Sequence, residues 1–201
     1  MEKIGAIILA AGSSSRLGEP KQFLRYRGET LIHRAARAAV DAGCLPVVVV
    51  AGAEHEHIEH ELSELEVQVH HHAQWPRGMG SSLRAGVERA LLLAPSLDAL
   101  MLMVCDQPHV TAEVLTALIT ARAASQRPAA ASTYSETLGV PAIFARPLFP
   151  RLAALPDGHG ARHLLRDLPD HLTRVPFPSG SIDIDTPVDS RVHLASSWQI
   201  S

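Results

Sequence analysis

The chain has 201 residues, 46% of them hydrophobic and 19% charged, with a formal net charge of −3. This suits one globular α/β domain over residues 1–201, with at most a small appendage. No basic surplus favours nucleic acid and no polybasic run favours an anionic membrane. The two cysteines, Cys44 and Cys105, lie far apart within or beside apolar runs, which excludes a disulfide framework and a metal-ligand spacing and fits a reducing cytosol.

The apolar run from Ile4 to Ala11 is too short to span a membrane and has no basic stretch before it, so it reads as a first strand, Ile4–Ala10, of a cytoplasmic protein. Thr30 is placed to cap a helix with Leu31, Ala35, Ala38 and Ala42 on one face and Gly43 at its end. Pro46–Ala51 is the next buried strand and closes a βαβ unit. Glu66–His71 predicts a third strand. A helix then starts at Ser81 or Ser82, with Leu83, Val87, Ala90 and Leu91 on one stripe.

Ala99–Cys105 predicts another buried strand. Thr111 caps the following helix, with Val114, Leu115, Leu118 and Ile119 turned inward. Ala129–Tyr134 and Val140–Phe144 read as two more strands. Short helices are expected around Pro147–Leu155 and Gly160–Leu168, a last strand over Leu172–Phe177, and a C-terminal helix starting at Thr186 and Pro187. Such alternation implies a three-layer α/β/α sandwich around a mostly parallel, mixed, Rossmann-like sheet. Ligands of such sheets bind at the carboxyl ends of the strands. Three conspicuous segments follow predicted strands: the loop after Ala10, the loop after His71, and Asp106.

The first loop is the richest. Gly12, Ser13, Ser14 and Ser15 lead into Arg16, and Gly18 precedes Lys21. Small residues let backbone N–H groups approach a phosphate chain closely, and Arg16 and Lys21 supply neutralising charge. Glu19 after Gly18 breaks the Gly-Lys-Ser/Thr pattern of kinase-type loops, and the Gly-x-Gly-x-x-Gly of dinucleotide folds is absent. Leu9, Ala10, Ala11, Gly12, Ser13, Ser14, Arg16 and Lys21 are therefore the expected nucleotide-binding residues.

Asp106 ends a buried strand, where an unpaired carboxylate is costly filler. Magnesium takes one or two carboxylates together with phosphate oxygens and waters, and Asp106 with Asp185 fits that sparse set. Asp183 can serve instead of Asp185 or alongside it. The competing readings are a turn cap for Asp106 and a helix start for Asp185. The twelve histidines do not compel a metal centre: His55, His57 and His60 stand among Glu54, Glu56, Glu59 and Glu61, the mixture of a solvated helix. Trp75 is placed to pack against a base, although a lone tryptophan also serves plain packing.

The string from Leu9 to Leu24 resembles the signature of the nucleotidyltransferases that include the molybdenum cofactor cytidylyl- and guanylyltransferases, the methylerythritol phosphate cytidylyltransferase and the sugar-phosphate nucleotidyltransferases. Trp75 to Gly86, Val104-Cys105-Asp106-Gln107-Pro108, Gly139 to Phe144, Gly158 to Leu165 and Asp183 to Pro187 are similar, in order, to later segments of the molybdenum cofactor cytidylyltransferase branch. The resemblance implies a magnesium-dependent transfer of CMP from CTP to the phosphate of molybdopterin. Arg16, Lys21 and Asp106 would be catalytic, and Gly80, Ser81 and Ser82 would add to the nucleotide site. Gly139 and Arg162 would lie on the acceptor side, and the recipient molybdoenzyme would be a transient partner.

Ala10-Ala11-Gly12 and Gln107 tilt the base toward cytosine. A guanylyltransferase, another phosphorylated acceptor, and a non-catalytic nucleotide-binding chaperone of a molybdoenzyme remain as alternatives. One departure is local: His159 stands where the family usually has an acid in its Gly-Asp-x-Gly-Ala-Arg segment, with Asp157 two positions earlier.

Overall fold

The computed structural model of the chain describes residues 2–12, 20–168 and 171–182. Its elements are β1 (Ile4–Ala10), β2 (Arg25–Tyr26), β3 (Glu29–Thr30), α1 (Leu31–Asp41), β4 (Val47–Ala51), α2 (His55–Glu61), β5 (Gln68–His71) and α3 (Met79–Leu93). They continue with β6 (Ala99–Val104), α4 (Ala112–Ser125), β7 (Ala129–Tyr134), β8 (Thr137–Ala145), α5 (Phe149–Ala153), α6 (Ala161–Arg166) and β9 (Leu172–Pro176). The helix expected at Thr186 and Pro187 lies outside the described residues.

Seven strands form one sheet in the order β5-β4-β1-β6-β8-β7-β9. Only β8 runs antiparallel to its neighbours. Successive β1 residues face opposite sides: Ala6 and Ile8 pack with Ile32, Ala36 and Leu118 in one core, while Ile7 packs with Leu83, Val87 and Phe144 in the other. Helices therefore cover both faces, and the three-layer mixed sandwich expected from strand–helix alternation is the observed architecture. No helix among the described residues is long and apolar enough to cross a membrane.

Local chemistry explains where the elements begin and end. The Thr30 hydroxyl accepts from the His33 backbone N–H at 3.2 Å and caps α1. Gly43, at φ 78°, turns the chain out of that helix; Ala42, expected on its inner face, falls one residue past the end and is only partly buried. The α3 helix begins at Met79 rather than at the serines, because Gly78 at φ 122° makes the turn before it. Thr111 holds the N-cap position of α4 without a side-chain cap bond. The β2–β3 hairpin is too short to leave a period in the sequence.

β8 is longer than expected, and a two-residue turn at Ser135 and Glu136, both with positive φ, joins it to β7. The ladder slips between Ala131 and Ser132: Ala131 faces Ala142 while Ser132 faces Gly139. Val140 and Pro141 form the resulting bulge, and Ser132 Oγ donates to the Pro141 carbonyl at 2.8 Å.

Between β1 and β6 the chain reverses its direction of travel through the sheet, toward β4 on one side and β8 on the other. Leu9 pairs with Val104 at the carboxyl ends of these two strands. The crevice beyond that pair is the ligand position of an open α/β sheet. Phe144 is fully buried in the core on one face of the sheet, and Phe144→Ala is expected to cost about 3–5 kcal/mol in denaturant unfolding.

Candidate active site

Leu9, Ala10, Ala11 and Gly12 leave the end of β1 and line a cavity of about 340 Å³ with Lys21, Ser82 and Asp106. Gln22 fixes this loop from beneath: it is buried, and its Nε2 donates to the carbonyls of Ala10 at 2.7 Å and Gly12 at 3.2 Å. Those bonds give the carbonyls at the strand end and in the loop beyond it a buried side-chain donor. The sequence reading did not single out Gln22, although a polar side chain just after Lys21 was the available signal. Ser13, Ser14 and Arg16, expected at the same cavity, lie outside the described residues.

Across the cavity, Lys21 Nζ donates to Asp106 Oδ2 in a close ion pair. Both side chains are mostly shielded, with 17% and 16% exposure, so each lowers the cost of burying the other. The second oxygen, Asp106 Oδ1, is buried without a hydrogen-bond partner among the described residues. An orphaned carboxylate oxygen beside a cavity suits a cation shared with a polyphosphate. Among the described residues no group of three or more His, Cys, Asp or Glu could hold a metal by itself. Asp185 and Asp183, its expected partners, fall outside the described residues. Burial first, then the Asp106 charge, pushes the thiol of Cys105, next to Asp106, up to about 12.

The start of α3 is held by a tight seam. Gly80 N–H donates to the Asp157 carbonyl at 2.8 Å, and a Cβ on Gly80 would lie 2.0 Å from the Pro156 carbonyl oxygen. Ser81 Oγ and His72 Nε2 are hydrogen bonded at 2.7 Å. Of the three α3 residues expected at the nucleotide, Ser82 lines the cavity, while Gly80 and Ser81 are engaged in this seam. Arg77 Nε donates to Asp157 Oδ2 at 2.9 Å, and Arg84 bonds both Asp157 Oδ1 and the Leu155 carbonyl. Arg84 and then Arg77 hold the Asp157 carboxyl below the usual carboxylate range. This link joins segments more than seventy residues apart, and no local pattern announces it.

A second cavity, about 500 Å³, shares Leu9, Lys21, Met79 and Asp106 with the first. It continues past Gln107 and Tyr134 to Gly139, Val140, Arg162 and His163. Gly139 is bare because the Tyr134 hydroxyl occupies the space, 2.0 Å from where a Cβ would stand. Gln107 Nε2 donates to the Gly180 carbonyl at 2.9 Å, tying the end of β6 to the segment after β9. His159 and His163 meet edge to face with ring centroids 4.0 Å apart.

The arrangement has close likenesses among known proteins. The MobA-like NTP transferase domain family matches residues 6–173. The nicotine blue oxidoreductase of Paenarthrobacter nicotinovorans is 33% identical over 175 residues, 83% of each chain. A probable molybdenum cofactor guanylyltransferase of Bacillus cereus (strain Q1) is 34% identical over 119 residues, 59% of this chain and 56% of its own. The crystal structure of Rv0371c from Mycobacterium tuberculosis H37Rv in complex with manganese superposes with a TM-score of 0.77 at 26% identity, covering 96% of this chain and 99% of that one.

The seam yields two expectations. Gly80→Ala forces α3 away from the 156–159 segment, and overpacking of this kind costs about 1–3 kcal/mol in thermal or denaturant unfolding. Burial, then His70, Arg84, Arg77 and His71, lowers the His72 pKa below its ordinary 6.5. Folding therefore favours neutral His72: its stabilisation is complete above the unfolded value and is lost as pH falls below about 6.5. His72→Gln should flatten that limb of a stability-against-pH curve.

Proposed function

The chain belongs to the MobA-like NTP transferase family, and on that premise we propose that it transfers a nucleotide from a nucleoside triphosphate to the phosphate of a molybdopterin-type acceptor, releasing pyrophosphate. The observation that carries this reading is the position of Lys21 and Asp106 in the lining of both cavities. A donor in one cavity and an acceptor in the other would meet at that pair, which is the geometry a transfer between two bound substrates needs.

In this reading the Leu9–Gly12 backbone, Ser82 and Lys21 bind the triphosphate, with Ser13, Ser14 and Arg16 completing the loop. The indole of Trp75 borders the same cavity. Arg162 receives the acceptor, with Gly139 in the lining of the same cavity. The acceptor phosphate is ionised at neutral pH, so its oxygen attacks the α-phosphorus without a general base. A new phosphorus–oxygen bond forms as the bond to pyrophosphate breaks, and Lys21 and Arg16 neutralise the charge that develops on the leaving group. Asp106, with Asp185 or Asp183, would hold magnesium, whose role when bound is to neutralise phosphate charge and orient the donor. The manganese complex of Rv0371c supports a divalent cation at such a fold.

Two donors compete. The relatives named as molybdenum cofactor guanylyltransferases support GTP, and the proposal takes GTP as the favoured donor. Ala10-Ala11-Gly12 and Gln107 support CTP as the second reading.

Pyrophosphate release from each ribonucleoside triphosphate, with and without molybdopterin, tests the proposal. Release with GTP is expected only when both the acceptor and magnesium are present, and EDTA should abolish it. Lys21→Ala and Asp106→Asn should each lower kcat/KM by about a hundredfold or more. Binding without turnover would favour a chaperone. Oxidation–reduction activity without pyrophosphate release would contradict the proposal.

A further inference from the structure

A second cation joins the two stretches of chain that carry Lys21 and Asp106. Arg34 stands one turn into α1, after the Thr30 cap. Its Nε and Nη2 both donate to the Pro108 carbonyl, at 3.3 Å and 3.2 Å. Its Nη1 donates to Glu29 Oε2 at 3.2 Å. The guanidinium lies over the Tyr26 ring, 5.0 Å from its centroid, and that ring meets His109 edge to face at 5.4 Å. Arg34 is 14% exposed and Tyr26 is buried. Pro108 and His109, just past Asp106 in the chain, are thus clamped against α1 and the β2–β3 hairpin.

The same support leads back to Lys21. Leu24 N–H donates to the Lys21 carbonyl at 3.2 Å, and Leu31 N–H donates to the Leu24 carbonyl at 2.9 Å where α1 begins. Leu24, Tyr26 and Leu31 pack as a small apolar cluster of their own. Gln107 ties Asp106 to the segment after β9 through Gly180, while Arg34 relates it to Lys21 through the hairpin. The task suits an arginine: a planar fork can grip a carbonyl and a carboxylate while its face rests on an aromatic ring, and an ammonium cannot do all three.

Arg34 lines neither cavity, so any effect it has on the reaction passes through the groups it holds. Those groups matter because Lys21 and Asp106 approach the site from separate loops. A misplacement of about 1 Å at a reacting centre can cost about a hundredfold in rate.

We infer that Arg34 is a positioning residue of this site: it sets where Asp106 stands relative to Lys21, and so the geometry in which the pair meets the reacting phosphate. This rests on the nucleotidyltransferase reading and adds to it a residue outside both cavities.

The test compares the wild-type chain with Arg34→Ala, Arg34→Lys and Arg37→Ala. Arg37 also bonds Glu29 from α1, yet its side chain is 46% exposed and it serves as the control. Pyrophosphate release is followed with the best triphosphate donor, molybdopterin and magnesium. Arg34→Ala should lower kcat by about tenfold or more while the KM for the triphosphate changes by less than about twofold. It should also raise the magnesium concentration that gives half the maximal rate. Arg34→Lys should fall between Arg34→Ala and the wild type. Added guanidinium ion should restore part of the Arg34→Ala kcat, and Arg37→Ala should keep wild-type constants.

Amide hydrogen exchange supplies a readout free of turnover. In Arg34→Ala the Leu24 amide and the Val110 amide, which donates to the Gln107 carbonyl at 3.3 Å, should both exchange faster, with the β1 amides unchanged. Should Arg34→Ala fail to fold, Arg34→Lys carries the same test with a smaller loss. An unchanged kcat in folded Arg34 variants, a loss confined to KM, an equal loss in Arg37→Ala, or exchange that rises evenly over the whole sheet would overturn the inference. If no triphosphate supports pyrophosphate release in the wild type, the nucleotidyltransferase reading fails separately. Exchange then decides alone: faster exchange at both Leu24 and Val110 supports the clamp, and a change at only one of them, or at neither, overturns it.

Discussion

The Lys21–Asp106 ion pair is the contact around which the site is organised. It joins a loop that leaves β1 to the residue that follows β6, across the point where the sheet changes its direction of growth. Two shielded charges at that depth are tolerable only together, because either one alone would be a desolvated ion. The pair uses one oxygen of Asp106 and leaves the other buried and without a hydrogen-bond partner among the described residues. That oxygen keeps its acceptor capacity, and a cation carried in with a polyphosphate would use it. The sheet determines this position. The β1–β6 register puts Leu9 opposite Val104, and each chain then continues straight into the crevice.

The two cavities divide the labour on either side of that pair. One is enclosed by tight backbone, small residues and an indole. The other is larger and is built from the β8 bulge, the Tyr134 side and the start of α6. The bulge accounts for the difference. By slipping the β7–β8 ladder at Ala131/Ser132, it directs Gly139 and Val140 into the second cavity. The α3 seam is the counterpart on the nucleotide side, where Asp157, bonded by Arg77 and Arg84, fixes the helix start from which Ser82 reaches the first cavity.

What the sequence made legible was periodic or local. The apolar runs at Ile4–Ala10 and Pro46–Ala51 read as buried strands because both faces of a parallel sheet are covered. Thr30 read as a cap because its hydroxyl and the apolar stripe of α1 announce each other. The glycine-rich loop and Asp106 each followed a strand, so topology alone could bring them together. What stayed hidden was long-range. His159 departs from the family pattern in sequence and Asp157 stands two positions earlier, but the two arginine partners of Asp157 are visible only in three dimensions. Gly80 and Gly139 resemble ligand-approach glycines, yet their bare positions also make room for Pro156 and Tyr134. Glu54 read as part of a solvated helix, since six of the seven residues of α2 are charged or histidine.

The most direct test is a crystal structure of the chain with a non-hydrolysable nucleoside triphosphate. The account predicts that the triphosphate lies on the Ala10–Gly12 loop with its α-phosphate beside Lys21 and Asp106, and with the second cavity open toward that phosphorus. A triphosphate bound elsewhere on the sheet, or bound with Lys21 and Asp106 out of reach of its phosphates, would contradict it.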